Sequence, residues 1–430
     1  MLEHLVNIWR DEAKAFLVYD NKEYFFQDIL DAKKTIDLSS IKSGDVVALI
    51  GDFNPQSIMT LILLVEKNAI IMPLTISTRV QHDDFFMNGL VDVIIENNKI
   101  IRRKHQQKHE LIEKLRTANK PGLILFSSGI TGKPKAILHD VSLFLKKYNK
   151  PRPILITLSF LLFDHIGGIN TLLHSLFNQN LIVAPSQRSI DHIINLCKKY
   201  NVENMPVSPT FMRMLLLSSD FPKNFPPSIK IITYGTEKMD QATLNKFHKN
   251  LPQVKLKQTY GASEIGILST KSESDDSLYM KIGGEAVETK IINKILYIKN
   301  PNCMMGYINA PSPFDKDGFY NTHDIVEEKN GYIKILGRDN EVINVGGIKF
   351  LASQVEDILM LHPKISMVKV FAETNPIVGQ HIAVTVNYKN NETPDKKHLL
   401  EYCKINMPPQ MVPHRFYFND INISHRFKKL

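Results

Sequence analysis

Short apolar runs alternate with longer apolar stretches over the first two thirds of the chain. Residues 45–50 and 69–74 are apolar at almost every position, which is typical of strands buried on both faces. The apolar segment 55–66 lies between them, and its length predicts a helix. This strand–helix–strand order predicts two parallel strands joined by a crossover helix.

The same alternation recurs further along the chain. Strands are predicted at 91–95, 122–126, 181–184 and 229–233, with a helix over 190–200. We therefore expect an α/β fold with stacked, largely parallel sheets. In such folds ligands bind beyond the carboxyl ends of the strands, which is where we expect the functional residues.

After Gly337 the alternation ends. The predicted elements there are strands at 342–345, 367–371 and 382–388 and a helix over 352–361. Because a single core stops growing near ~250–300 residues, the 430 residues predict more than one domain. We predict a large α/β domain over residues 1–339 and a small α+β domain over residues 340–430.

Composition excludes several classes of protein. Cys197, Cys303 and Cys403 lie far apart without metal-ligand spacing, which argues against a zinc site or a disulfide framework and favours a reducing compartment. The longest apolar run, 61–65, is far shorter than the ~18 residues of a membrane span. With no signal-like start, the chain is expected to be cytoplasmic.

The net charge of +9 is spread over scattered lysines rather than gathered into one stripe. We therefore expect no nucleic-acid partner, and the surplus positive charge suits small anionic ligands.

Residues 127–135 form a glycine-rich loop after the predicted strand 122–126. Its small and hydroxylated residues leave backbone N–H groups accessible, and Lys133 and Lys135 add positive charge, so the loop suits a polyphosphate. It is not the loop of the common P-loop proteins, because Pro134 stands where Ser or Thr must hold magnesium.

Residues 126–135 resemble the phosphate loop of the adenylate-forming superfamily, which includes acyl- and aryl-CoA synthetases, adenylation domains of peptide synthetases and luciferases. Residues 259–264, 320–324 and 337–347 resemble further motifs of this family in the same order. The resemblance covers nearly the whole chain. It implies that the small C-terminal domain is mobile and hinged near Asn340.

The resemblance also implies an ATP site. The residues implied to bind phosphates are Ser127, Ser128, Gly129, Thr131, Gly132 and Lys135, with Ser263 near the α-phosphate. Those implied to border adenine are Gly235, Thr236, Glu237, Tyr260 and Gly261. Asp324 and Arg338 are implied to bind the ribose, and Glu264 to hold Mg²⁺.

Lys428 is implied to be the catalytic lysine, because residues 424–428 resemble the family's Thr-x-x-Gly-Lys. Phe427 departs from the pattern, since it stands where the family has glycine, as does His323 before Asp324. Gly346 and Gly347 are implied to approach the pantetheine thiol after the small domain swings.

His165 is implied to face the acyl carboxylate, because residues 165–168 resemble the CoA-synthetase version of this element. The preceding Phe163-Asp164 also resembles the element in which amino-acid-activating domains place an aspartate for the substrate ammonium. Residues 205–210 lead into an apolar helix that we expect to wall the acid pocket, which favours an apolar acid.

Each candidate residue also has an ordinary structural interpretation. Tyr260 fits a half-buried strand residue, and Glu264 and Asp324 fit solvated surface carboxylates. His165 fits a core histidine, and Lys428 fits a frayed, solvated chain end.

The resemblance implies an ATP-dependent acid–thiol ligase that forms acyl-AMP, releases pyrophosphate and transfers the acyl group to coenzyme A. The implied partners are a carboxylic acid of acyl or aryl type, as in fatty acid metabolism, together with ATP, Mg²⁺ and CoA. The alternatives are the loading of a carrier protein's phosphopantetheine arm, the activation of an amino acid, and a non-catalytic nucleotide-binding relative.

Overall fold

The computed structural model describes residues 1–9, 14–104, 107–127, 134–218, 220–375, 379–389, 392–424 and 426–428. The α-helices in these residues are α1 (Leu2–Ile8), α2 (Phe26–Thr35), α3 (Pro55–Glu66), α4 (His82–Asn88), α5 (Glu110–Ala118), α6 (Val141–Leu145), α7 (Ile166–Phe177), α8 (Ile190–Lys199), α9 (Pro209–Leu217), α10 (Gln241–Asn250), α11 (Ala352–Met360) and α12 (Lys396–Asn406).

The strands of the large domain are β1 (Ala15–Tyr19), β2 (Lys22–Phe25), β3 (Val46–Ile50), β4 (Ile70–Leu74), β5 (Val93–Glu96), β6 (Lys99–Arg102), β7 (Gly122–Phe126), β8 (Ala136–Asp140), β9 (Thr157–Leu158), β10 (Ile182–Ala184), β11 (Asn204–Val207), β12 (Ile231–Tyr234), β13 (Lys255–Gln258), β14 (Tyr260–Ala262), β15 (Gly266–Ser272), β16 (Met280–Gly283), β17 (Glu288–Ile292), β18 (Ile295–Lys299), β19 (Gly306–Tyr307), β20 (Tyr320–Lys329) and β21 (Tyr332–Arg338). Those that follow are β22 (Val342–Val345), β23 (Ile348–Leu351), β24 (Ile365–Asn375), β25 (Gly379–Tyr388) and β26 (Arg415–Tyr417).

Two mixed sheets form the centre of the large domain. Sheet I has the order β13-β12-β11-β9-β10-β1-β2 and is parallel except for the β1–β2 pair. Sheet II has the order β19-β8-β7-β4-β3-β5-β6, with a parallel centre and antiparallel edges. One hydrophobic cluster contains residues of both sheets together with α3 and α7. The two helices are therefore buried between the sheets.

Helix α3 begins and lies where the sequence pattern predicts. The Asn54 side chain accepts a hydrogen bond from the Ser57 N–H at 2.8 Å, and Pro55 occupies the first turn, where it loses no helical hydrogen bond. Every residue from Ser57 to Val65 is buried, so burial extends around the whole helix. An apolar residue at nearly every position suits a helix covered on all sides, which is the environment that two flanking sheets provide.

Sheet III is antiparallel throughout and has the order β14-β15-β16-β21-β20-β18-β17. Buried residues alternate with more exposed ones along the first half of β20, as expected for a sheet with one face toward solvent. The prediction of largely parallel sheets does not extend to this sheet. The pairing of β20 with β21 sets Asp324 opposite Arg338.

The last part of the chain forms sheet IV, in which β23-β22-β25-β24 pair in that order and β26 joins β25. Helices α11 and α12 contribute Val355, Leu359 and Leu399 to a hydrophobic cluster with this sheet. The predicted fold class, a large α/β domain followed by a small α+β domain, is confirmed. The division between residues 339 and 340 stays a prediction. Among the described residues, no helix combines the length and the apolar composition that crossing a bilayer requires.

A buried ion pair supports the turn that follows β12. Arg213 of α9 lies 2.9 Å (Nε to Oδ2) from Asp240, and each side chain is 7% exposed. Asp240 also accepts from the Thr243 N–H at 2.7 Å and caps α10. Replacing Arg213 would leave a buried carboxylate without its cation.

We expect Arg213→Met to destabilise the large domain by about 3–5 kcal/mol, because removing one partner of a buried pair exposes the full desolvation cost of the other. The midpoint of urea unfolding, followed by the fluorescence of the single tryptophan Trp9, measures this loss. The control is Arg415→Met, which removes the exposed partner of Glu373 and should leave the midpoint nearly unchanged. Equal midpoints for wild type and Arg213→Met would contradict the expectation.

Candidate active site

A cavity of about 1220 Å³ lies where the carboxyl ends of several sheet I and sheet II strands meet sheet III and the last residues of the chain. A second cleft of about 930 Å³ lies between the two domains and shares Ser127, Thr236 and Lys428 with the cavity. The predicted site residues that line the first are Ser127, Lys135, His165, Gly235, Thr236, Gly261, Ser263, Glu264, Arg338 and Lys428, and those that line only the second are Glu237, Tyr260 and Asp324.

Six predicted site residues are not among these lining residues. Ser128, Gly129, Thr131 and Gly132 lie outside the described residues. Gly346 and Gly347 are described and line neither space.

Hydrogen bonds hold the two ends of the glycine-rich loop together beside the cavity. We call these ends, residue 127 and residues 134–136, the neck of the loop. The Ser127 N–H donates to the Lys135 carbonyl at 3.1 Å, and the Lys135 N–H donates to Ser127 Oγ at 3.3 Å. The Asn309 side chain also binds the neck. Its Oδ1 accepts from the Ala136 N–H at 2.8 Å, and its Nδ2 donates to the Pro134 carbonyl at 3.0 Å. Sequence reasoning missed Asn309, because no local pattern marks it.

Glu264 is buried, being 8% exposed, so the interpretation as a solvated carboxylate is wrong. Its Oε1 accepts from the Tyr307 hydroxyl at 2.9 Å, and the Lys135 ammonium lies 5.0 Å from the centre of the Tyr307 ring. Burial and the nearby Glu264 charge raise the pKa of Tyr307, so the phenol keeps its proton and donates it. A cation, a phenol and a carboxylate are thereby aligned along one wall.

The backbone beside Glu264 is held by a residue that the sequence did not reveal. His139 Nε2 donates to the Ser263 carbonyl at 2.7 Å. Burial lowers the pKa of His139 to about 4, so the ring is neutral and its role is to fix this turn.

The described residues contain no group of three or more His, Cys, Asp or Glu side chains arranged to hold a metal ion. A magnesium ion at Glu264 would therefore need oxygen ligands from elsewhere, as Mg²⁺ commonly takes from phosphates and water. Glu264 fits such a role, since it lines the cavity while Tyr307 bonds one of its carboxylate oxygens.

Asp324 is 9% exposed and bonded on both oxygens, so it is not a solvated carboxylate either. Its Oδ2 accepts from the Tyr260 hydroxyl at 2.5 Å, and its Oδ1 lies 3.3 Å from Arg338 Nε. Burial raises the pKa of Asp324, while Arg338 and Tyr260 act in the opposite direction. Tyr260 is a half-buried strand residue and also positions this carboxylate.

The backbone is left-handed at two of the cavity-lining positions that carry side chains. His323, where the family has glycine, adopts a φ of 59° and lies 2.9 Å (Nδ1 to Oδ2) from Asp339. Thr236 adopts a φ of 76°, which is rare for a β-branched residue, and its buried hydroxyl has no partner among the described residues. Strain of this kind concentrates at functional sites. Beside Thr236, an added Cβ at Gly235 would lie 2.3 Å from Thr259 Oγ1, so glycine is required there.

Residues 426–428 are packed against the large domain, which contradicts the interpretation of Lys428 as a frayed end. The Phe427 ring lies 4.8 Å from the ring of Phe160 and 5.9 Å from that of Phe211. The Phe427 carbonyl accepts from Ser208 Oγ at 2.8 Å. Replacing glycine by phenylalanine thus provides an aromatic anchor next to Lys428.

Lys428 lines both the cavity and the cleft. Burial lowers its pKa from 10.5 to about 8, with the Arg426 charge acting in the same direction and the Glu237 carboxylate opposing it. Glu237 is itself held by the Thr210 N–H, which donates to Oε1 at 2.6 Å at the start of α9.

Asp164 forms an ion pair with Arg426, which is a second contact between the domains besides that of Phe427. Its Oδ2 lies 3.3 Å from Arg426 Nη2, and the two side chains are 4% and 11% exposed. Asp164 is absent from the residues that line the cavity. An aspartate engaged in this way is a poor receptor for a substrate ammonium, which argues against amino-acid activation.

His165 lies at the N-terminus of α7 and lines the cavity, where its Nδ1 accepts from the Gly167 N–H at 3.0 Å. The glycine after Gly167 allows close packing, since an added Cβ at Gly168 would lie 1.9 Å from the Leu162 carbonyl oxygen. His165 therefore caps the helix and faces the cavity as well.

Gly346 and Gly347 form the exposed turn between β22 and β23. Their φ angles of 57° and 91° need glycine for the backbone alone, and nothing lies within 4 Å of an added Cβ at either. In this arrangement of the domains the pair is not part of the cavity.

The expectation that the helix after residue 208 walls the acid pocket is wrong. Phe211 and Met212 belong to a hydrophobic core cluster, and none of the residues of α9 lines the cavity. The lining near His165 instead combines Leu161 and Ile166 with polar and basic side chains.

The profile of the family described as AMP-binding enzyme matches residues 88–308, which is half of the chain, and that of the AMP-binding enzyme C-terminal domain matches residues 354–425. The chain belongs to this family. Curated relatives include 4-coumarate–CoA ligase-like 6 of Arabidopsis thaliana, 24% identical over 68% of this chain and 57% of that protein. Another is the 2-succinylbenzoate–CoA ligase of Bacillus cereus, 24% identical over 71% and 68%. The matches to the first relatives span about half of the relatives' own length.

Solved structures of other proteins share the fold. The anthranilate CoA ligase AuaEII in complex with anthranoyl-AMP has a TM-score of 0.81 at 14% identity, covering 100% of this chain and 95% of that one. ATP-bound MatB from Rhodopseudomonas palustris has a TM-score of 0.81 at 16% identity, covering 99% and 96%.

We expect Asp324→Asn to weaken ATP binding by about 10- to 100-fold, if Asp324 accepts the ribose hydroxyls as its resemblance to family members implies. The variant replaces a charged acceptor by a neutral amide and leaves Arg338 without its carboxylate. Calorimetric titration with ATP measures the affinity. The exposed Asp315, which pairs with Lys290, provides the control Asp315→Asn, which should bind ATP as wild type does. An unchanged affinity in Asp324→Asn would remove this residue from the nucleotide site.

Proposed function

We propose that the protein is an ATP-dependent acid–thiol ligase of the acyl- or aryl-CoA synthetase type. It would activate a carboxylic acid as acyl-AMP with release of pyrophosphate and then form a thioester. The observation that carries this proposal is the convergence of Lys428, Glu264 and the neck of the glycine-rich loop on one cavity, with the Asp324–Arg338 pair in the adjoining cleft.

The first half-reaction joins two anions, so the site has to supply positive charge and hold the reactants in line. The substrate carboxylate attacks the α-phosphorus of ATP, and the bond to the bridging oxygen breaks as pyrophosphate leaves. Protonated Lys428 stabilises the charge that develops in this step. Lys135 and the loop bind the departing phosphates, and His165 orients the carboxylate.

Magnesium is part of the proposal, with Glu264 as its protein ligand. Bound there, it would supply further positive charge to the triphosphate. The Tyr307 hydroxyl orients the Glu264 carboxylate by donating to Oε1.

In the second half-reaction the sulfur of a thiol attacks the acyl carbon, the acyl–oxygen bond to AMP breaks, and the thiol proton passes to solvent as AMP leaves. We propose coenzyme A as the thiol, with the phosphopantetheine arm of a carrier protein as the rival. Either would need the turn of Gly346 and Gly347 to approach the cavity after the small domain reorients about a hinge near Asn340. The three cysteines are free thiols, which suits the reducing, cytoplasmic setting that we propose.

The non-catalytic alternative predicts that Lys428 is dispensable. Two observations argue against this alternative. The ring of Phe427, the residue next to Lys428, packs against Phe160, and the lowered pKa of Lys428 reflects its burial in the cavity. Exchange of labelled pyrophosphate into ATP, dependent on a carboxylic acid, separates an enzyme from a nucleotide-binding protein.

We expect Lys428→Ala to lower pyrophosphate exchange by about 10²–10³-fold, as removal of one preorganised charge stabiliser does. Because the lysine is charged only below its pKa, wild-type exchange at low ATP should fall as the pH rises through about 8. Lys428→Arg is the matched control, since its guanidinium stays charged and the decline should disappear. Wild-type exchange in Lys428→Ala would contradict this role.

We expect Gly347→Leu to block thioester formation while leaving pyrophosphate exchange intact. The side chain would obstruct a pantetheine arm. It also strains the backbone of the exposed turn, where φ is 91°, but nothing lies within 4 Å of an added Cβ that could carry this strain to the adenylation cavity. Release of free CoA thiol in a single-turnover assay measures the second step. The control Ile348→Ala alters an exposed neighbour, and equal loss of both half-reactions in Gly347→Leu would point to misfolding of the hairpin instead.

A further inference from the structure

One arm of the cavity extends from His165 along a single face of α7. Asn170, His174 and Asn178 line it at intervals of four residues, so they lie one above the other on the helix. At ~1.5 Å per residue, the arm runs for ~20 Å from His165 to Asn178. We call this space the distal arm.

The wall opposite α7 contributes a lysine to the distal arm. Lys147 lines the cavity, and its Nζ donates to Asn170 Oδ1 at 2.7 Å. The Tyr148 hydroxyl donates to the same oxygen at 3.0 Å. The Lys147 ammonium also lies 4.5 Å from the centre of the Phe144 ring. These contacts hold the lysine in one position beside the cavity.

Lys147 has no carboxylate at ion-pair distance among the residues that the structure describes. The acidic residues among the described lining residues are Glu264 and Asp339. Glu264 bonds Tyr307, and Asp339 bonds His323, so both lie at the nucleotide end. Burying an ammonium without a counter-charge costs free energy, which an anionic ligand would recover.

The rest of the distal arm is also basic. Arg152 and Lys257 line its far end and are exposed, so the arm reaches solvent there. Burial together with Arg152, Lys257 and Lys147 lowers the pKa of His174 to about 4, so this ring is neutral. The charges of the distal arm therefore favour an anion and disfavour an ammonium.

We propose that the acid activated by this protein carries a second anionic group, which binds Lys147 in the distal arm. Asn170 follows His165 by five residues, so the residues beside which the two anionic groups would bind lie ~7.5 Å apart along the helix axis. A dicarboxylic acid of medium length has this form, and a phosphonate or sulfonate at the second position shares its chemistry. The inference rests on the proposed ligase function and adds the class of its acid.

A fatty acid fits the distal arm less well. Its alkyl chain would cover Lys147 without supplying the counter-charge that the ammonium lacks, although Asn170 still accepts its hydrogen bond. A buried charge that stays uncompensated is what makes such a site reject an apolar analogue.

Acid-dependent pyrophosphate exchange tests the proposal with matched pairs of acids. The probes are adipate, pimelate and suberate, each against hexanoate, heptanoate or octanoate of the same length. We expect at least one dicarboxylate to exceed its monocarboxylate by about 10- to 100-fold in kcat/KM. The phosphonate analogue of the best dicarboxylate, used in a further arm, distinguishes a carboxylate-specific site from a general anion site.

The variant that isolates the contact is Lys147→Met, with Lys146→Met as its control on the exposed side of the same turn. Lys147→Met should lose the preference for the dicarboxylate and keep its rate with the monocarboxylate, which also shows that it folds. Lys146→Met should keep both rates. Equal loss with both classes of acid, or a wild type that prefers monocarboxylates, would overturn the proposal while leaving the ligase function standing. Exchange with no acid of either class would count against the ligase function itself.

The pH profile provides an independent readout. Burial lowers the pKa of Lys147 to about 7, so kcat/KM for the dicarboxylate should fall as the pH rises through about 7. The titratable groups that face Lys147 are His139, Tyr148 and His174, whose pKa values burial moves away from this range. Lys428 affects every acid equally, so the ratio of dicarboxylate to monocarboxylate isolates Lys147. A ratio independent of pH would contradict the assignment.

Discussion

A carboxylate removed from water must keep a cation or several donors beside it, and the geometry of the cavity depends on pairs that satisfy this requirement. Asp324 pairs with Arg338 across two strands of sheet III, and Asp164 pairs with Arg426 across the domains. Arg213 and Asp240 support the turn after β12 in the same way. Each pair contributes little net stability but makes any other arrangement expensive, because separating the partners leaves a charge uncompensated.

Local patterns were sufficient to predict much of the fold. Helix α3 has the predicted bounds, and the glycine-rich loop follows the strand that the apolar run indicated. Glu264 and Asp324 were found because their motifs occur in the family's order. The sequence did not predict the roles of Asn309, Tyr307 and His139. Each of them contacts residues far away in sequence, which only the folded chain brings together. The sequence did not predict the basic distal arm for the same reason.

The two departures from the family pattern near the site are accommodated rather than disruptive. His323 and Phe427 both keep a left-handed backbone, with φ values of 59° and 51°. Each side chain then gains contacts that glycine does not have, to Asp339 in one case and to Phe160 in the other. A substitution that raises the backbone energy is offset here by packing or hydrogen bonding.

The lowered pKa of Lys428 links the position of the small domain to the charge in the cavity. If the small domain moves as proposed, protonated Lys428 gives up water when the domain docks, which makes the docked arrangement costly while the cavity holds no anion. By thermodynamic reciprocity, an anion that binds more tightly when Lys428 is docked stabilises docking by the same free energy. Departure of a polyanion removes that stabilisation. In the reorientation proposed above, the electrostatics of this one side chain would favour release of the small domain once the anion has left.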